Sequence, residues 1–401
     1  MERSMDEHDH RIIGNRLDLF HQQEEGPGMV FWHPNGVAIY RAIEDYIRSL
    51  MRKAGFREVR TPQLLARSLW EASGHWEKFG DAIFVFADGE RVFALKPMSC
   101  PGHIQIFNKK IRSFRDLPLR FCEFGDCHRY EASGALQGLM RTRAFTQDDA
   151  HIFCTEAQIE AEVARFCTLL RGAYEDVGFP EFTVGFSTRP AIRAGSDALW
   201  DRAESALETA GRAAGLVLRP QPGEGTFYGP KLDFTLRDRA GRDWQCGTIQ
   251  LDFVLPERLG ANYIDASGAR VRPVLIHHAV LGSIERFLGM LLEHYCGSLP
   301  LWLAPEQVMV ASVSEHQADY AASVAAAFEA RELRVRIDAG PERLARKVGM
   351  AHEAGIPILA AIGAMEARGG TVSLRRRDGS RTTLGVDAAA SMLRDEVDSK
   401  R

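Results

Sequence analysis

The sequence predicts an α+β protein: an antiparallel sheet flanked by helices, followed by a smaller α/β domain of about 100 residues. Three observations support this fold class. Asp88-Gly89 and Ala240-Gly241 each separate two apolar runs, which is the pattern of a β-hairpin. Stretches with helical periodicity lie between these strands. After residue 305, short strands and helices alternate, which is typical of a mainly parallel sheet.

The composition is that of a globular protein with room for more than one core. The chain has 401 residues, with 50 Lys and Arg against 54 Asp and Glu, for a formal net charge of −4. This length predicts two or three domains and excludes a mini-protein. No apolar segment approaches the roughly 18 to 20 residues that a bilayer span needs, and the first residues, MERSMDEHDHRIIG, are charged where a signal peptide is apolar. We therefore expect a cytoplasmic protein with no membrane partner.

The cysteines also favour a reducing compartment. There are seven, widely scattered, and an odd number does not suit a disulfide framework. Any special cysteine is therefore expected to be a metal ligand or a nucleophile.

The elements of the first 300 residues can be placed in chain order. Residues 36–54 carry apolar side chains at steps of three and four and predict a helix that ends near Gly55. FREVRTP follows as a strand, and residues 83–96 form the hairpin around Asp88-Gly89. KLDFTLRD and DWQCGTIQLDFVL form the second hairpin. Helices are predicted at 156–177, 196–214 and 279–296, the last apolar enough for a core helix.

A change in the sequence pattern marks a domain boundary. The segment GSLPLWLAP at 297–305 contains a glycine and two prolines, which end the preceding helix. Beyond it come the strands VMVASV, LRVRID and ILAAIG, with helices between them, then the hairpin TVSLRRR and RTTLGV and a final helix to residue 401. We predict one domain at 1–300 and a second, smaller domain at 301–401.

An arginine-rich segment carries the first chemical signal. In residues 120–151, Arg129 and Arg141 bracket a Ser-Gly turn, and Arg286 stands at the head of the apolar helix. Guanidinium groups on neighbouring strands can hold a polyphosphate or a carboxylate through two hydrogen bonds each. A solvated strand-loop-strand explains the segment equally well, and Arg286 alone is a weak signal.

The strings around these arginines resemble a known family. Arg129 and Glu131 in CHRYEASG and Arg286 in GSIERF resemble motifs 2 and 3 of class II aminoacyl-tRNA synthetases, and Pro62 in EVRTP resembles motif 1. From about residue 9 onward, the chain resembles threonyl-tRNA synthetases in seven strings: MVFWHPNG, KPMSCPGHIQIF, RDLPLRFCEFG, RAFTQDDAHIFC, FYGPKLDF, QCGTIQLDF and IHHAVLGSIERF. The resemblance implies a class II catalytic sheet, an anticodon-binding domain, and ligation of L-threonine to tRNA(Thr) through a threonyl-adenylate.

The resemblance further implies one zinc ion per subunit, held by Cys100, His151 and His277. Their spacing matches no local zinc finger, so the spacing alone does not predict the site. A buried cysteine or a hydrogen-bonded histidine remains the alternative for each. Three protein ligands leave open positions on zinc, which the amine and hydroxyl of threonine can fill and valine cannot.

Further contacts are implied at matching positions. ATP is expected to meet Arg129, Glu131, Arg141, Phe145, Gln245, Thr248 and Arg286, together with Mg²⁺. Threonine is expected to meet Met98, Gln147, Asp149, Tyr228 and Gln250. The catalytic residues are then Arg129, Arg286 and His75, the last in proton transfer during attack by the ribose hydroxyl of tRNA. Packing beside Trp76 is the alternative for His75.

The C-terminal domain has a basic patch. Five arginines and one aspartate lie between residues 368 and 381. Glu366 and Arg375 match positions that read anticodon bases in the family, whereas a solvated basic hairpin is the alternative. Motif 1 implies a homodimer.

The start of the chain and several substitutions raise further expectations. The chain begins where the family's catalytic domain begins, so we expect no editing of Ser-tRNA in cis and a separate factor that corrects it. The residues more usual in bacterial relatives are replaced by Ser99, Gln137, Ala144 and His278, which indicates a specialised second enzyme. His278 could compete with His277 as a ligand or simply pack. The alternatives to tRNA ligation are activation of an amino acid for another acceptor and an inactive regulatory protein.

Overall fold

The computed structural model describes residues 7–400, so the outer ends of the two predicted domains, 1–6 and 401, lie outside the described residues. The helices in this range are α1 (His10–Arg16), α2 (Pro34–Lys53), α3 (Arg67–Ser73), α4 (His75–Phe79), α5 (Cys100–Asn108), α6 (Ile159–Asp176), α7 (Asp197–Ala213), α8 (Leu255–Arg258), α9 (Ile284–His294), α10 (Ala318–Glu329), α11 (Leu344–Glu353), α12 (Ala364–Gly369) and α13 (Val386–Asp398). The predicted helices at 36–54, 156–177 and 196–214 correspond to α2, α6 and α7.

The strands in the same range are β1 (Phe20–His21), β2 (Phe31–Trp32), β3 (Arg57–Glu58), β4 (Leu64–Ala66), β5 (Val85–Asp88), β6 (Arg91–Leu95), β7 (Leu119–His128), β8 (Ala144–Cys154), β9 (Phe182–Ser187), β10 (Leu218–Gln221), β11 (Lys231–Arg237), β12 (Asp243–Asp252), β13 (Tyr263–Ile264), β14 (Arg270–Val271), β15 (Val274–Ser283), β16 (Val308–Ser312), β17 (Val335–Asp338), β18 (Ile358–Ile362), β19 (Thr371–Arg376) and β20 (Arg381–Gly385). Both predicted hairpins, β5–β6 and β11–β12, are antiparallel pairs.

The main sheet has eight strands in the order β10-β9-β11-β12-β15-β8-β7-β3. Its central pairs are antiparallel, whereas the edge pairs β10/β9 and β3/β7 are parallel. Most residues of the central strands β8 and β15 are buried, so their apolar runs lie inside the protein. This sheet agrees with the predicted antiparallel architecture, although the parallel edges were not predicted.

The predicted helix at 279–296 was wrong at its beginning. Residues 279–283 belong to β15, which pairs with β12 on one side and β8 on the other, and α9 begins only at Ile284. A short apolar run bonded on both sides is a central strand, which periodicity cannot distinguish from a buried helix. Gly282 (φ +79°) turns the chain, and the Ser283 hydroxyl accepts the N–H of Arg286 at 3.2 Å, which caps the new helix.

The smaller sheet has the order β17-β16-β18-β19-β20. Its first three strands are parallel and β19–β20 is an antiparallel hairpin, as the alternation of strands and helices predicts. Met309, Ala351, Ile356 and Leu359 form a buried cluster where α11 covers this sheet.

Contacts group the described residues into two compact units. One contains residues up to His21, Phe31–Ile43 and the chain from Leu291 onward, and the other contains Gln22–Val30 and Glu44–Met290. The main sheet lies in the second unit and the smaller sheet in the first. The boundary at residue 300 stays a prediction. Within residues 7–400, no helix combines the length and the apolar character that a bilayer crossing needs.

Candidate active site

One face of the main sheet gathers the residues of the candidate site. His277 on β15 is paired with His151 on β8 and with Gln250 on β12. Because side chains alternate along a strand, Asp149 and Thr248 lie on the same face as these residues. Cys100 reaches this face from the first residue of α5.

The three predicted metal ligands come together in the folded chain. Ligand atoms of Cys100, His151 and His277 all lie within 4.8 Å of one another, and the three side chains are buried. Nε2 of His151 lies 2.9 Å from Nδ1 of His277. Burial raises the pKa of the Cys100 thiol well above its usual range. The donors are one sulfur and two imidazole nitrogens, a set typical of zinc.

The outer nitrogens of both histidines also have partners, which the sequence analysis missed. Nε2 of His277 lies 2.9 Å from Oδ2 of Asp252, and Nδ1 of His151 lies 2.8 Å from Nδ1 of His103. His103 is one helical turn after Cys100, and Asp252 is two residues after Gln250 on a strand. His103 therefore shares a helix face with Cys100, and Asp252 shares a strand face with Gln250, so the spacing in the sequence could have identified both.

The predicted proton-transfer residue, His75, lies beside the cluster. Its Nε2 is 3.4 Å from the sulfur of Cys100, and its Nδ1 is 2.8 Å from the Ser73 hydroxyl. The ring is fully buried and packs edge-on against Phe227. Burial, above all, lowers the pKa of His75 to about 3. The imidazole is therefore neutral at physiological pH.

Two of the predicted threonine contacts are linked to each other. The Tyr228 hydroxyl donates to Oε1 of Gln250 at 2.5 Å, and the Tyr228 ring stacks on His277 with centroids 4.8 Å apart. Asp149 has a carboxylate oxygen 3.9 Å from Nε2 of His151. Burial raises the pKa of Asp149. A carboxylate, a phenol and an amide therefore surround the three metal donors.

The other two predicted threonine contacts lie at the margin. Gln147 is on β8, two residues before Asp149 and paired with Ser283. Met98 is partly buried and packs against the apolar cluster that contains Cys100 and Tyr228.

Arg129 is held between two aromatic rings. Its guanidinium lies 5.2 Å from the centroid of Phe79 and 5.1 Å from that of Phe145. Its Nε and one terminal nitrogen both donate to the carbonyl of Pro97 at 3.2 Å. These contacts fix the plane of the guanidinium while the rest of its fork stays available to a ligand.

The remaining predicted nucleotide contacts are more dispersed. Arg141 is exposed and forms an ion pair with Glu131 at 2.8 Å. Arg286 is exposed on α9, 6.0 Å from the centroid of Trp244. The remaining two, Gln245 and Thr248, lie on β12.

His278 lies on the opposite face of β15 from His277. Its ring contacts Phe56 and Phe166, with centroids 5.1 and 4.6 Å away. Neither ring nitrogen has a hydrogen-bond partner, and burial lowers the pKa of His278 to about 3. The structure therefore makes His278 a core residue that packs and does not compete as a ligand.

The C-terminal unit holds the two predicted anticodon contacts. Glu366 accepts the N–H of Gly363 at 2.9 Å at the start of α12. Arg375 lies on β19, paired with Arg381 on β20, whereas the neighbouring Arg376 forms an ion pair with Glu396. The free charge of the basic hairpin is thus smaller than the sequence indicates.

The fold and the site define a class of protein that comparison with known families confirms. Residues 84–295 match the tRNA synthetase class II core domain (G, H, P, S and T), and residues 307–396 match an anticodon binding domain. The main sheet with its arginine-bearing strands is thus a class II aminoacyl-tRNA synthetase core.

Individual relatives show which family within this class the chain resembles. The chain is 54% identical over 392 residues to a threonine–tRNA ligase of Caulobacter vibrioides (strain NA1000 / CB15N), covering 97% of this chain and 60% of the relative. It is 56% identical over 371 residues to that of Methylococcus capsulatus, covering 92% and 58%. A crystal structure of the RNA binding domain of threonyl-tRNA synthetase from Cryptosporidium parvum Iowa II superposes with a TM-score of 0.94 at 40% identity, covering 96% of this chain and 98% of that one.

The chain belongs to the threonyl-tRNA synthetase family. It spans about 60% of the length of the curated relatives it matches.

Proposed function

We propose that this chain ligates L-threonine to tRNA(Thr) at the expense of ATP, through a threonyl-adenylate. The observation that carries the proposal is the convergence of Cys100, His151 and His277 next to Tyr228 and Asp149. Family membership supports the class of reaction, and this cluster supports threonine as the amino acid.

The residues present fit a zinc ion. The carboxylate of Asp252 accepts two backbone N–H groups through Oδ1, so its Oδ2 acts as an acceptor toward His277. The hydrogen-bond network then assigns the proton of His277 to Nε2 and leaves Nδ1 with a free lone pair facing His151 and Cys100. Zinc held there would offer open positions to the amine and the hydroxyl of threonine and would reject valine, which has no hydroxyl.

The surrounding side chains would orient the amino acid. Asp149 supplies a negative charge for the threonine ammonium, and the Tyr228 hydroxyl and the Gln250 amide are placed to hydrogen-bond its polar atoms. The side chains of Met98 and Gln147 would close the margin of the pocket. Each of these contacts binds the substrate before any bond is broken, so they act on affinity and alignment.

The arginines would neutralise charge during adenylate formation. The carboxylate of threonine attacks the α-phosphorus of ATP, which needs alignment and charge stabilisation and no covalent enzyme intermediate. We assign the α-phosphate to Arg129 because its guanidinium is oriented by Phe79, Phe145 and Pro97. We assign the far end of the triphosphate to Arg141 and Arg286, with Mg²⁺ accompanying ATP.

The remaining contacts belong to the nucleoside and to tRNA. We place adenine against Phe145, with Glu131, Gln245 and Thr248 near the nucleoside. We assign proton transfer in the second step to His75, whose Nε2 lies 3.4 Å from the sulfur of Cys100 at the candidate site.

Recognition of the anticodon is assigned to the part of the chain that contains the smaller sheet. We assign it to Glu366 and Arg375, which lie in the residues that match an anticodon binding domain. We propose residues 1–300 as the catalytic domain and 301–401 as the anticodon-binding domain.

We also propose a homodimer and a cytoplasmic location. An apolar groove of about 360 Å³ at Thr61, Pro62, Leu65, Leu69 and Ile106 lies next to β3, the last strand of the main sheet. Burying this groove against a second copy would remove its apolar surface from water. A monomeric mass in light scattering at micromolar concentration would contradict the dimer.

The cysteines support the cytoplasmic location. All seven are free, as in a reducing compartment.

Amino-acid-dependent exchange of pyrophosphate into ATP tests the activity directly. We expect exchange with threonine, weaker exchange with serine and background exchange with valine, and loss of the threonine signal after a chelator has removed zinc. Exchange without transfer to tRNA would favour another acceptor. No exchange with any amino acid would favour an inactive regulatory protein.

A further inference from the structure

Behind His151 lies a buried chain of polar side chains, which we call the Glu123 relay: His103, Glu123, Lys96 and Thr61. Nδ1 of His103 lies 2.8 Å from Nδ1 of His151, and Nε2 of His103 lies 3.1 Å from Oε2 of Glu123. His103 is 0% exposed, and Lys96 and Glu123 are 1% and 3% exposed. These groups are out of contact with bulk water, so hydrogen bonds inside the protein must satisfy them.

Glu123 is held as an ionised acceptor. Lys96 donates to its Oε1 at 2.9 Å and the Thr61 N–H donates to the same oxygen at 2.7 Å. Burial alone would raise the pKa of Glu123, but the hydrogen bonds from His103 and Thr61 and the charge of Lys96 lower it to about 2. A carboxylate has no proton to donate, so Nε2 of a neutral His103 must carry the proton that Glu123 accepts.

The position of that proton propagates to His151. With its proton on Nε2, neutral His103 presents a lone pair at Nδ1, which accepts from Nδ1–H of His151. His151 is then left with a free lone pair on Nε2, the nitrogen 2.9 Å from His277. In this network both histidines turn unprotonated nitrogens toward each other, an arrangement that repels unless a cation lies between them and Cys100.

We propose that His103 and Glu123 are positioning residues for His151: they select the tautomer and ring orientation in which Nε2 is ready to bind the metal. The inference rests on the proposed zinc site. It assigns the Glu123 relay to that site as a support, which is anchored to the backbone by the N–H of Thr61. Such outer partners typically contribute 10- to 100-fold to metal affinity.

Three variants of the full chain test the relay. His103→Leu removes both hydrogen bonds and should weaken zinc binding 10- to 100-fold, measured by competition with a chromogenic chelator. His103→Gln should recover most of this loss, since its amide oxygen can accept from His151 and its amide nitrogen can donate to Glu123. His278→Leu is the matched control: it replaces another buried histidine, next to His277 but on the other face of β15, and should leave zinc affinity unchanged.

A spectroscopic readout separates positioning from folding. With cobalt in place of zinc, the visible absorption bands report ligand geometry, and we expect them to shift and weaken in His103→Leu and to return in His103→Gln. If His103→Leu does not fold, the double variant Lys96→Met/Glu123→Gln removes the ion pair without leaving a charge unpaired. It should weaken zinc binding, because a neutral amide accepts a weaker hydrogen bond from His103 than a carboxylate does. The loss should be smaller than in His103→Leu, because the hydrogen bond between His103 and His151 remains.

The outcomes distinguish the two proposals. If the unaltered chain binds no zinc, both fail. If it binds zinc and the relay variants bind it with unchanged affinity and an unchanged cobalt spectrum, the zinc site stands and the relay is overturned. An equal loss in His103→Leu and His103→Gln would also overturn it, since the effect would then not follow the hydrogen bonds.

Discussion

Asp148 accepts a hydrogen bond from the backbone N–H of Gly282 at 2.8 Å, and this contact shapes the bend between β15 and α9. The same carboxylate accepts the N–H groups of Val280 and Leu281 at 2.8 and 3.0 Å. The pairing of β15 with β8 shifts register between Ala279 and Ser283, which leaves these amides without strand partners. A buried side chain thus directs the segment that carries Arg286.

The first prediction concerns the pH dependence of Asp148. Burial raises the pKa of Asp148 to about 7, although hydrogen bonds from Leu281, Val280 and Gly282 oppose the shift. The folded chain therefore binds a proton that the unfolded chain has released, so this group lowers stability as the pH rises from about 4 to about 7. This change in the free energy of unfolding, on the order of 1–4 kcal/mol, should be absent from the Asp148→Asn variant when urea unfolding is compared at pH 4.5 and 7.5. An identical pH profile for both proteins would contradict it.

The second prediction concerns the sulfur donor. Cys100→Ser should reduce bound zinc from one equivalent to well below one, measured by elemental analysis, because a hydroxyl is a far poorer zinc ligand than a thiolate. Threonine-dependent pyrophosphate exchange should fall in parallel. Cys167→Ser is the matched control, since Cys167 is also buried but lies in α6. Full zinc in Cys100→Ser would remove Cys100 from the site.

The third prediction concerns the unpartnered imidazole of His278. His278→Leu should raise the free energy of unfolding by about 1–3 kcal/mol, because a buried polar group without hydrogen bonds is replaced by an apolar one. The lowered pKa of His278, about 3, means that the unfolded chain binds the extra proton below about pH 6.5. The unaltered chain should therefore lose more stability on acidification than the variant. Destabilisation at every pH would indicate a partner for His278 that the structure does not show.

Local periodicity predicts the long amphipathic helices and the tight hairpins of this fold but not the contacts that are distant in sequence. The helix α2 and the hairpins β5–β6 and β11–β12 follow from amphipathic spacing and turn residues within a few positions. The start of α9 does not, because the run at 279–283 is apolar in either conformation and only its pairing with β8 and β12 decides it.

The candidate site shows the same limit. Cys100, His151 and His277 come from a helix and two strands, and His151 and His277 are 126 positions apart. No residue spacing predicts such a meeting, so the resemblance to a family was needed to name the three. The outer partners His103 and Asp252 were missed even so, although each lies on the same face as a named site residue.

The fourth prediction tests whether Arg129 acts through its fork of donors. Arg129→Lys keeps the charge but cannot match the planar contacts with Phe79, Phe145 and Pro97. We expect threonine-dependent pyrophosphate exchange to fall by about 10²–10³-fold in kcat, as for loss of an oriented donor at a developing charge. Arg171→Lys, which alters an arginine over Phe182 away from the site, should leave exchange unchanged. A change in the Arg129 variant confined to KM would indicate a contact that does not strengthen in the transition state.

The fifth prediction concerns the choice among three amino acids of similar size. Serine keeps both the amine and the hydroxyl of threonine and lacks one methyl group, which is worth about 10- to 200-fold in kcat/KM. Valine keeps the size but loses the hydroxyl, so the polar groups around Tyr228 and His277 would be left unsatisfied and discrimination should reach about 10⁴-fold. We therefore expect the 401-residue chain to form Ser-tRNA(Thr) measurably in an aminoacylation assay and to form no Val-tRNA(Thr) above background. If valine were used as readily as serine, the pocket would select by shape and not through the hydroxyl, and the role assigned to Cys100, His151 and His277 would fall.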